Sequence, residues 1–174
     1  MFRTSTLGLI ATSGAVLLLA SWAFQQTLLD QANGEMQAIA NAEGVYQTYQ
    51  SNNALFNAVN EALVGNAAAT QQVRRVQVYN YELGLRPMES LLDPDQRQDI
   101  PAAVDPYSGD FQFESAFAVT QERLEKIQER LFQKEARIRD RKSRLRWIFL
   151  SLYGLGSLAV LVANSVKALR PERA

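Results

Sequence analysis

The residues best suited to chemistry are aspartates in one irregular segment. Asp93, Asp95 and Asp99 lie close together, and carboxylate oxygens are ligands for Ca²⁺ or Mg²⁺. Arg97 lies between them, and the segment lacks the glycine and the glutamate at the defining positions of an EF-hand loop. The favoured interpretation is an ordinary solvated loop, with a cation site as the alternative.

The chain contains no histidine and no cysteine. This excludes the commonest general base, the commonest transition-metal ligand, thiolate nucleophiles and disulfides. Glu125 and Glu129 are a carboxylate pair, but they lie one helical turn apart among arginines, which is typical of surface charge pairing. No Ser–Lys dyad stands out. The sequence therefore predicts a protein that is not an enzyme and needs no cofactor.

Charge is balanced overall but unevenly distributed. The 174 residues have a formal net charge of zero, yet no Lys or Arg occurs between Arg3 and Arg74. A dense basic run lies near the C-terminal end: Lys134, Arg137, Arg139, Arg141, Lys142, Arg144 and Arg146. It predicts binding to anionic lipid headgroups, with an acidic partner as the alternative. Nucleic acid is disfavoured because no pattern of a known nucleic-acid module accompanies the run.

Two apolar segments, 7–24 and 147–166, predict transmembrane helices, with short tails at 1–6 and 167–174. At ~1.5 Å per residue, segments of this length just cross a hydrocarbon core of ~30 Å. A cleaved signal peptide is the alternative for the first segment, but its length favours a retained anchor. Neither segment contains a charged residue, which argues against an ion path through this chain alone.

The region between the spans, 25–146, is predicted to form an extramembrane helical hairpin. A long helix covers 25–64, and 67–83 is a second helix or a strand, because its last residues alternate as in a strand. Gly and Pro then begin an irregular Asp/Pro loop over 84–113. An amphipathic basic helix covers 114–146. The expected fold class is a mainly α membrane protein.

Apolar residues recur every seven positions along this last helix and form a stripe: Phe117, Leu124, Leu131, Ile138 and Leu145. The neighbouring row is apolar only at Ile127, whereas a two-stranded coiled coil needs two apolar rows. The stripe therefore predicts packing against another helix, and the expected partner is the long helix over 25–64. Packing on another subunit is the alternative.

Short motifs within 84–113 resemble those of a known family. They are Gly84-Leu85-Arg86-Pro87, Ser90-Leu91-Leu92, Ile100-Pro101 and Asp105-Pro106-Tyr107-Ser108-Gly109. The segment resembles type II secretion pseudopilins and related exported bacterial proteins, in which such turns follow a long N-terminal membrane helix. The resemblance implies an extracytoplasmic loop at the bacterial inner membrane and, as in some relatives, calcium near the turn, here at Asp105 and Asp110. It does not extend to pilus assembly or to the second span.

The charges around the two spans predict opposite orientations in the membrane. Arg3 precedes the first span and only acidic residues follow it closely, which places the loop outside the cytoplasm. The basic run before the second span favours a cytoplasmic loop. Because long loops translocate largely regardless of charge, the first span decides the prediction. The loop is expected to be extracytoplasmic, with both termini in the cytoplasm.

These features predict a non-enzymatic structural or accessory subunit of a larger membrane complex, whose partners are other membrane protein subunits. One alternative is a two-span extracytoplasmic sensor, or a helical domain that binds a small ligand or calcium. Another is a scaffold with a cytoplasmic loop, whose basic run binds anionic lipid.

Overall fold

The computed structural model describes residues 4–168 and, from residue 6 onward, their side chains. This range is almost entirely helical and contains no strand, which confirms the predicted mainly α class. The α-helices are α1 (Thr4–Phe24), α2 (Asp30–Ala62), α3 (Ala67–Ser90) and α4 (Phe113–Ala168). A π-helical turn, Gln25–Leu29, joins α1 to α2, and a short 3₁₀ helix, Pro94–Arg97, follows α3.

The chain divides into two compact units. The first, here called the paired-helix unit, consists of Met1–Glu35 and Ile138–Ala174. The second, here called the bundle unit, consists of Met36–Arg137. The paired-helix unit contains the two apolar segments, and the bundle unit contains α3 and the irregular loop.

Both helices of the paired-helix unit include a stretch that is long and apolar enough to cross a membrane. Most of each stretch is exposed, and large apolar side chains such as Leu9, Leu19, Leu158 and Leu161 point away from the protein. The core helix of a water-soluble domain would bury such residues, because exposing them to water is unfavourable.

The two apolar helices approach each other most closely at Gly14 and Gly156. A Cβ atom added at Gly14 would lie 2.8 Å from the carbonyl oxygen of Gly156, and one added at Gly156 would lie 2.9 Å from the carbonyl oxygen of Gly14. Any larger residue would therefore push the backbones apart. Ser21 and Ala163, which are also small, are buried in the same unit. Small residues at the contact allow close packing of apolar helices.

In the bundle unit, α2 and α3 pack through a glycine and a set of amides. A Cβ atom added at Gly84 would lie 2.9 Å from Cβ of Tyr49, so only glycine fits there. Asn80 donates a hydrogen bond from Nδ2 to the carbonyl oxygen of Tyr49 at 2.9 Å. Nearer the start of α3, the buried Gln77 forms longer hydrogen bonds with the α2 amides of Asn53, Asn57 and Asn60.

The predicted irregular loop over 84–113 begins too early. Helix α3 continues through Gly84 and Pro87 to Ser90, and the ambiguous end of 67–83 is helical, not a strand. The reason is burial: Val78, Leu85 and Met88 recur at helical spacing and are at most 1% exposed. Their packing outweighs the local helix-breaking preference of glycine and proline. The irregular segment is confined to 91–112, interrupted by the 3₁₀ helix.

Two tyrosines in this interface have perturbed acidity. The side chain of Tyr46 is buried, and its hydroxyl has no hydrogen-bond partner among the described residues. Burial, with a smaller contribution from Tyr81, raises the pKa of Tyr46 to about 12. Burial also raises the pKa of Tyr81. Because these values lie above the ordinary tyrosine pKa of ~10, the neutral forms stabilise the fold below about pH 10. That contribution is lost as the pH rises towards 12.

Replacing Tyr46 with Phe should leave stability at pH 7 nearly unchanged, because no hydrogen bond is lost, and should move alkaline unfolding to higher pH. Circular dichroism of the full chain in detergent, recorded between pH 7 and 12 with tyrosinate absorbance, measures both effects. The control is Tyr107→Phe at an exposed tyrosine, which should leave the alkaline midpoint unchanged. An unchanged midpoint for Tyr46→Phe would contradict the role of this residue.

Candidate functional site

Three charged side chains meet inside the bundle unit: Glu82 and Glu89 on α3, and Arg123 on α4. Nε of Arg123 lies 3.2 Å from Oε2 of Glu82, and Nη2 lies 2.8 Å from Oε2 of Glu89. The side chains of Arg123 and Glu82 are only 3% and 4% exposed. The two glutamates are seven residues apart, so they lie on one face of α3, two turns from each other.

The same cluster fixes the irregular segment. Oε1 of Glu82 accepts hydrogen bonds from the hydroxyl of Thr120 at 3.0 Å and from the backbone N–H of Val104 at 3.3 Å. Nη1 of Arg123 donates to the carbonyl oxygen of Pro101. A general base must offer a lone pair to a substrate, whereas this carboxylate is buried against the Arg123 guanidinium and its Oε1 already accepts two hydrogen bonds. The cluster is therefore suited to holding α3, α4 and the 91–112 segment together, not to acid–base catalysis.

The sequence did not predict this cluster. The available signal was the seven-residue spacing of Glu82 and Glu89, but Glu89 lies in the region predicted to be a loop. Arg123 adjoins Leu124 of the apolar stripe, and no feature of the sequence marks it as buried. Because α3 continues through Pro87, Glu82 and Glu89 lie on one helix face and can both reach Arg123 of α4.

The predicted apolar stripe is part of the packing surface of α4. Leu131 and Ile138 are buried, and Phe117, Leu124 and Leu145 are half-buried. Beside the stripe, Thr120, Arg123 and Ile127 are at most 2% exposed, as Leu131 is within it. The ring of Phe117 packs edge-on against Tyr81, with 5.6 Å between centroids. In the bundle unit, the aromatic-ring contact and the buried ion pairs of this surface are made with α3. The partner expected from the sequence was the long helix over 25–64.

Residues of the basic run differ in how they are used. Four of the seven interact within the protein: Lys134, Arg139, Arg141 and Arg144. Nζ of Lys134 lies 2.5 Å from the carbonyl oxygen of Leu91, and Nη2 of Arg141 lies 2.5 Å from Oε2 of Glu35. Arg144 pairs with Asp140 one turn earlier. The other three, Arg137, Lys142 and Arg146, are exposed and form no ion pair with any residue in 4–168.

The turn predicted as a calcium site interacts with a guanidinium group. Nη1 of Arg75 donates to the carbonyl oxygens of Pro106 and Ser108, and the guanidinium lies 4.7 Å above the ring of Phe111. Oδ1 of Asp105 accepts from the backbone N–H of Tyr107 at 2.9 Å. These backbone oxygens, which a calcium ion would need, already bind a cation supplied by the chain.

Aspartates elsewhere in the segment pair mainly with α4. Asp99 lies 2.7 Å from Arg130, and Asp93 lies 3.4 Å from Lys134. Asp110 is exposed beyond the turn. Within 4–168, no three acidic side chains come together in a group that could hold a metal. The residues at the predicted Asp105 and Asp110 site therefore do not fit a calcium ion.

A groove of about 690 Å³ lies between the end of α2, the start of α3 and the start of α4. The guanidinium of Arg74 lies 4.9 Å above the ring of Phe113 and 3.4 Å from Oε1 of Glu114. Asn60 and Gln71 add amides to the lining. The groove thus offers an aromatic surface, a cation and hydrogen-bonding groups to a small polar ligand.

Replacing Arg123 with Met should destabilise the protein by ~3–5 kcal/mol, because it leaves the carboxylate of Glu82 buried without its counter-charge. The matched control is Arg130→Met, which breaks an exposed pair with Asp99 and should cost less than ~1 kcal/mol. Chemical denaturation of the full chain in detergent, followed by circular dichroism, measures both free energies of unfolding. Equal losses for the two variants would show that the buried cluster does not hold the bundle together.

Comparison with known proteins adds no relative to this description. No family model matches the chain, and no curated protein or solved structure shows significant similarity to it. Any function must therefore follow from the residues and contacts described above.

Proposed function

We propose that this protein is a non-enzymatic accessory subunit of a larger membrane complex, anchored in the bilayer by both helices of the paired-helix unit. The observation that carries the proposal is the combination of a close contact at Gly14 and Gly156 with large apolar side chains facing outward. A helix pair of this kind suits a lipid environment, where apolar surface needs no burial and small residues permit close contact.

The bundle unit supports a role in binding other subunits. Its strongest ionic cluster, around Glu82 and Arg123, is closed to substrates and fixes the fold. Large apolar side chains are exposed elsewhere on the same unit, with Leu55 64%, Phe132 71% and Val64 85% exposed. A partner subunit that covered these residues would remove their apolar area from water, which favours association.

Isolation of the complex in mild detergent tests this role. The native chain should migrate in an assembly well above the size of a 174-residue protein, and Phe132→Ser should weaken that assembly by removing exposed apolar area. The control is Gln128→Ser, which changes an exposed polar residue one turn away on α4. A wild-type chain that migrates as a lone monomer would exclude the accessory-subunit proposal.

The proposed location is the bacterial inner membrane, with residues 25–146 outside the cytoplasm and both termini inside. Support comes from Arg3 before the first span and from acidic residues after it. The opposite orientation would expose the same residues to the cytoplasm and favour a scaffold on the cytoplasmic face.

Cysteine labelling distinguishes these orientations, since the chain has no native cysteine. Ala103 and Lys167 are both exposed and lie in the irregular segment and beyond the second span, respectively. A membrane-impermeant maleimide should label Ala103→Cys in intact spheroplasts and Lys167→Cys only after lysis. The reverse pattern would place the bundle unit in the cytoplasm.

The second candidate is an extracytoplasmic sensor, and the groove beside Arg74 and Phe113 favours it. In that case the isolated chain should be monomeric, and a small carboxylate such as acetate or succinate should raise its melting temperature. Arg74→Gln should abolish that shift. A chain without such a shift that migrates in a large assembly supports the accessory role instead.

A further inference from the structure

The only two tryptophans of the chain, Trp22 and Trp147, lie at one level of the paired-helix unit. Gly14 packs against Val160 and Gly156 against Leu18, so the two helices run in opposite directions. Trp22 follows Gly14 by eight residues and Trp147 precedes Gly156 by nine, which places each ~12–14 Å from the crossing on the same side. Both side chains are strongly exposed, at 63% and 70%. Tryptophan at such positions is typical of a membrane–water interface.

Two exposed cations lie at this level. Lys142 and Arg146 are one helical turn apart on α4, and Arg146 directly precedes Trp147. They form no ion pair with any residue in 4–168, whereas Arg141 and Arg144 are each 2.5 Å from a carboxylate. Their side chains are therefore available to an external anion.

Little negative charge in this unit opposes the two cations. Helix α1 carries no Asp or Glu, and Glu35 and Asp140 are paired with arginines. Asp30 follows Trp22 by eight residues, ~12 Å further along the helix, which places it about level with Lys142, five residues beyond Trp147 on the antiparallel helix. Two cations, Lys142 and Arg146, therefore face one acid without an arginine partner, and the net charge at this end of the helix pair is positive.

We propose that Lys142 and Arg146 bind the headgroups of anionic phospholipids and enrich them around this end of the helix pair. This inference rests on the proposed membrane anchoring. The guanidinium of Arg146 can donate two parallel hydrogen bonds to a lipid phosphate, and the ammonium of Lys142 adds charge one turn away. Trp22 and Trp147 hold both cations at headgroup depth. Of the other members of the run, Lys134, Arg139, Arg141 and Arg144 interact within the protein, and Arg137 belongs to the bundle unit.

Quenching of the fluorescence of Trp22 and Trp147 by brominated lipids tests this proposal. The full chain is reconstituted in vesicles with one part phosphatidylglycerol to nine parts phosphatidylcholine, and bromine is placed on the acyl chains of one lipid or the other. Brominated phosphatidylglycerol should quench tryptophan fluorescence several-fold more than expected for a lipid that is randomly distributed and makes up one tenth of the vesicle. The reason is that each free cation near the surface favours anionic lipid by about fivefold at low salt. High salt should reduce the excess.

Two double variants isolate the contribution of the free cations. K142Q/R146Q should return quenching by brominated phosphatidylglycerol to that of a lipid at one-in-ten abundance. D140N/R144Q removes a paired acid and base in the same turns without changing net charge, and it should keep the excess. Equal quenching of the wild type and K142Q/R146Q by brominated phosphatidylglycerol would overturn lipid selection. Failure of brominated phosphatidylcholine to quench the wild type would instead overturn the membrane anchoring itself.

Discussion

The bundle unit depends on one buried ionic interaction, between Arg123 of α4 and the carboxylates of α3. Removing these groups from water costs several kcal/mol per ion, so the pair relies on further partners around it. The Thr120 hydroxyl and the backbone N–H of Val104 donate hydrogen bonds to Glu82, and the carbonyl oxygen of Pro101 accepts one from Arg123. Because the partners come from two helices and the irregular segment, a shift of any one element would leave a buried charge unpaired. The interaction thus fixes the relative register of α3, α4 and the segment between them.

Helical periodicity was the most reliable guide to this fold. It located α2 and α4 because their apolar residues recur over many turns, and the stripe through Leu131 and Ile138 lies on the packed side of α4. It failed at the end of α3, where Gly84 and Pro87 are locally unfavourable in a helix. Gly84 is required by the backbone contact with Tyr49, and the helix continues past Pro87 because Leu85 and Met88 are buried there. Tertiary packing determined both positions, and a single sequence shows that packing only indirectly.

Residues of the candidate site were harder to predict because their partners are distant in sequence. Arg75 binds carbonyl oxygens more than thirty residues away, in the turn where the resemblance to pseudopilins implied calcium at Asp105 and Asp110, and no local feature of the sequence links Arg75 to that turn. The basic run gave a similar ambiguity: a count of charges does not distinguish Arg141, which pairs with Glu35, from Arg146, which pairs with no described residue. The composition identifies the charged segment. Only the structure shows which of its cations are paired within the protein and which can bind an external group.

That division explains how a chain with zero net charge can have two differently charged regions. In the bundle unit, Lys134, Arg130 and Arg123 are matched to acids or carbonyl oxygens of the irregular segment and α3. Their charge defines the fold and is largely neutralised. At the tryptophan level of the paired-helix unit, α1 provides no acid, and the cations of α4 without partners keep their charge. In the proposed accessory role the protein acts through its shape and its surface charge. The buried pairs determine the shape and the cations without partners determine the surface charge, so its function would depend on both.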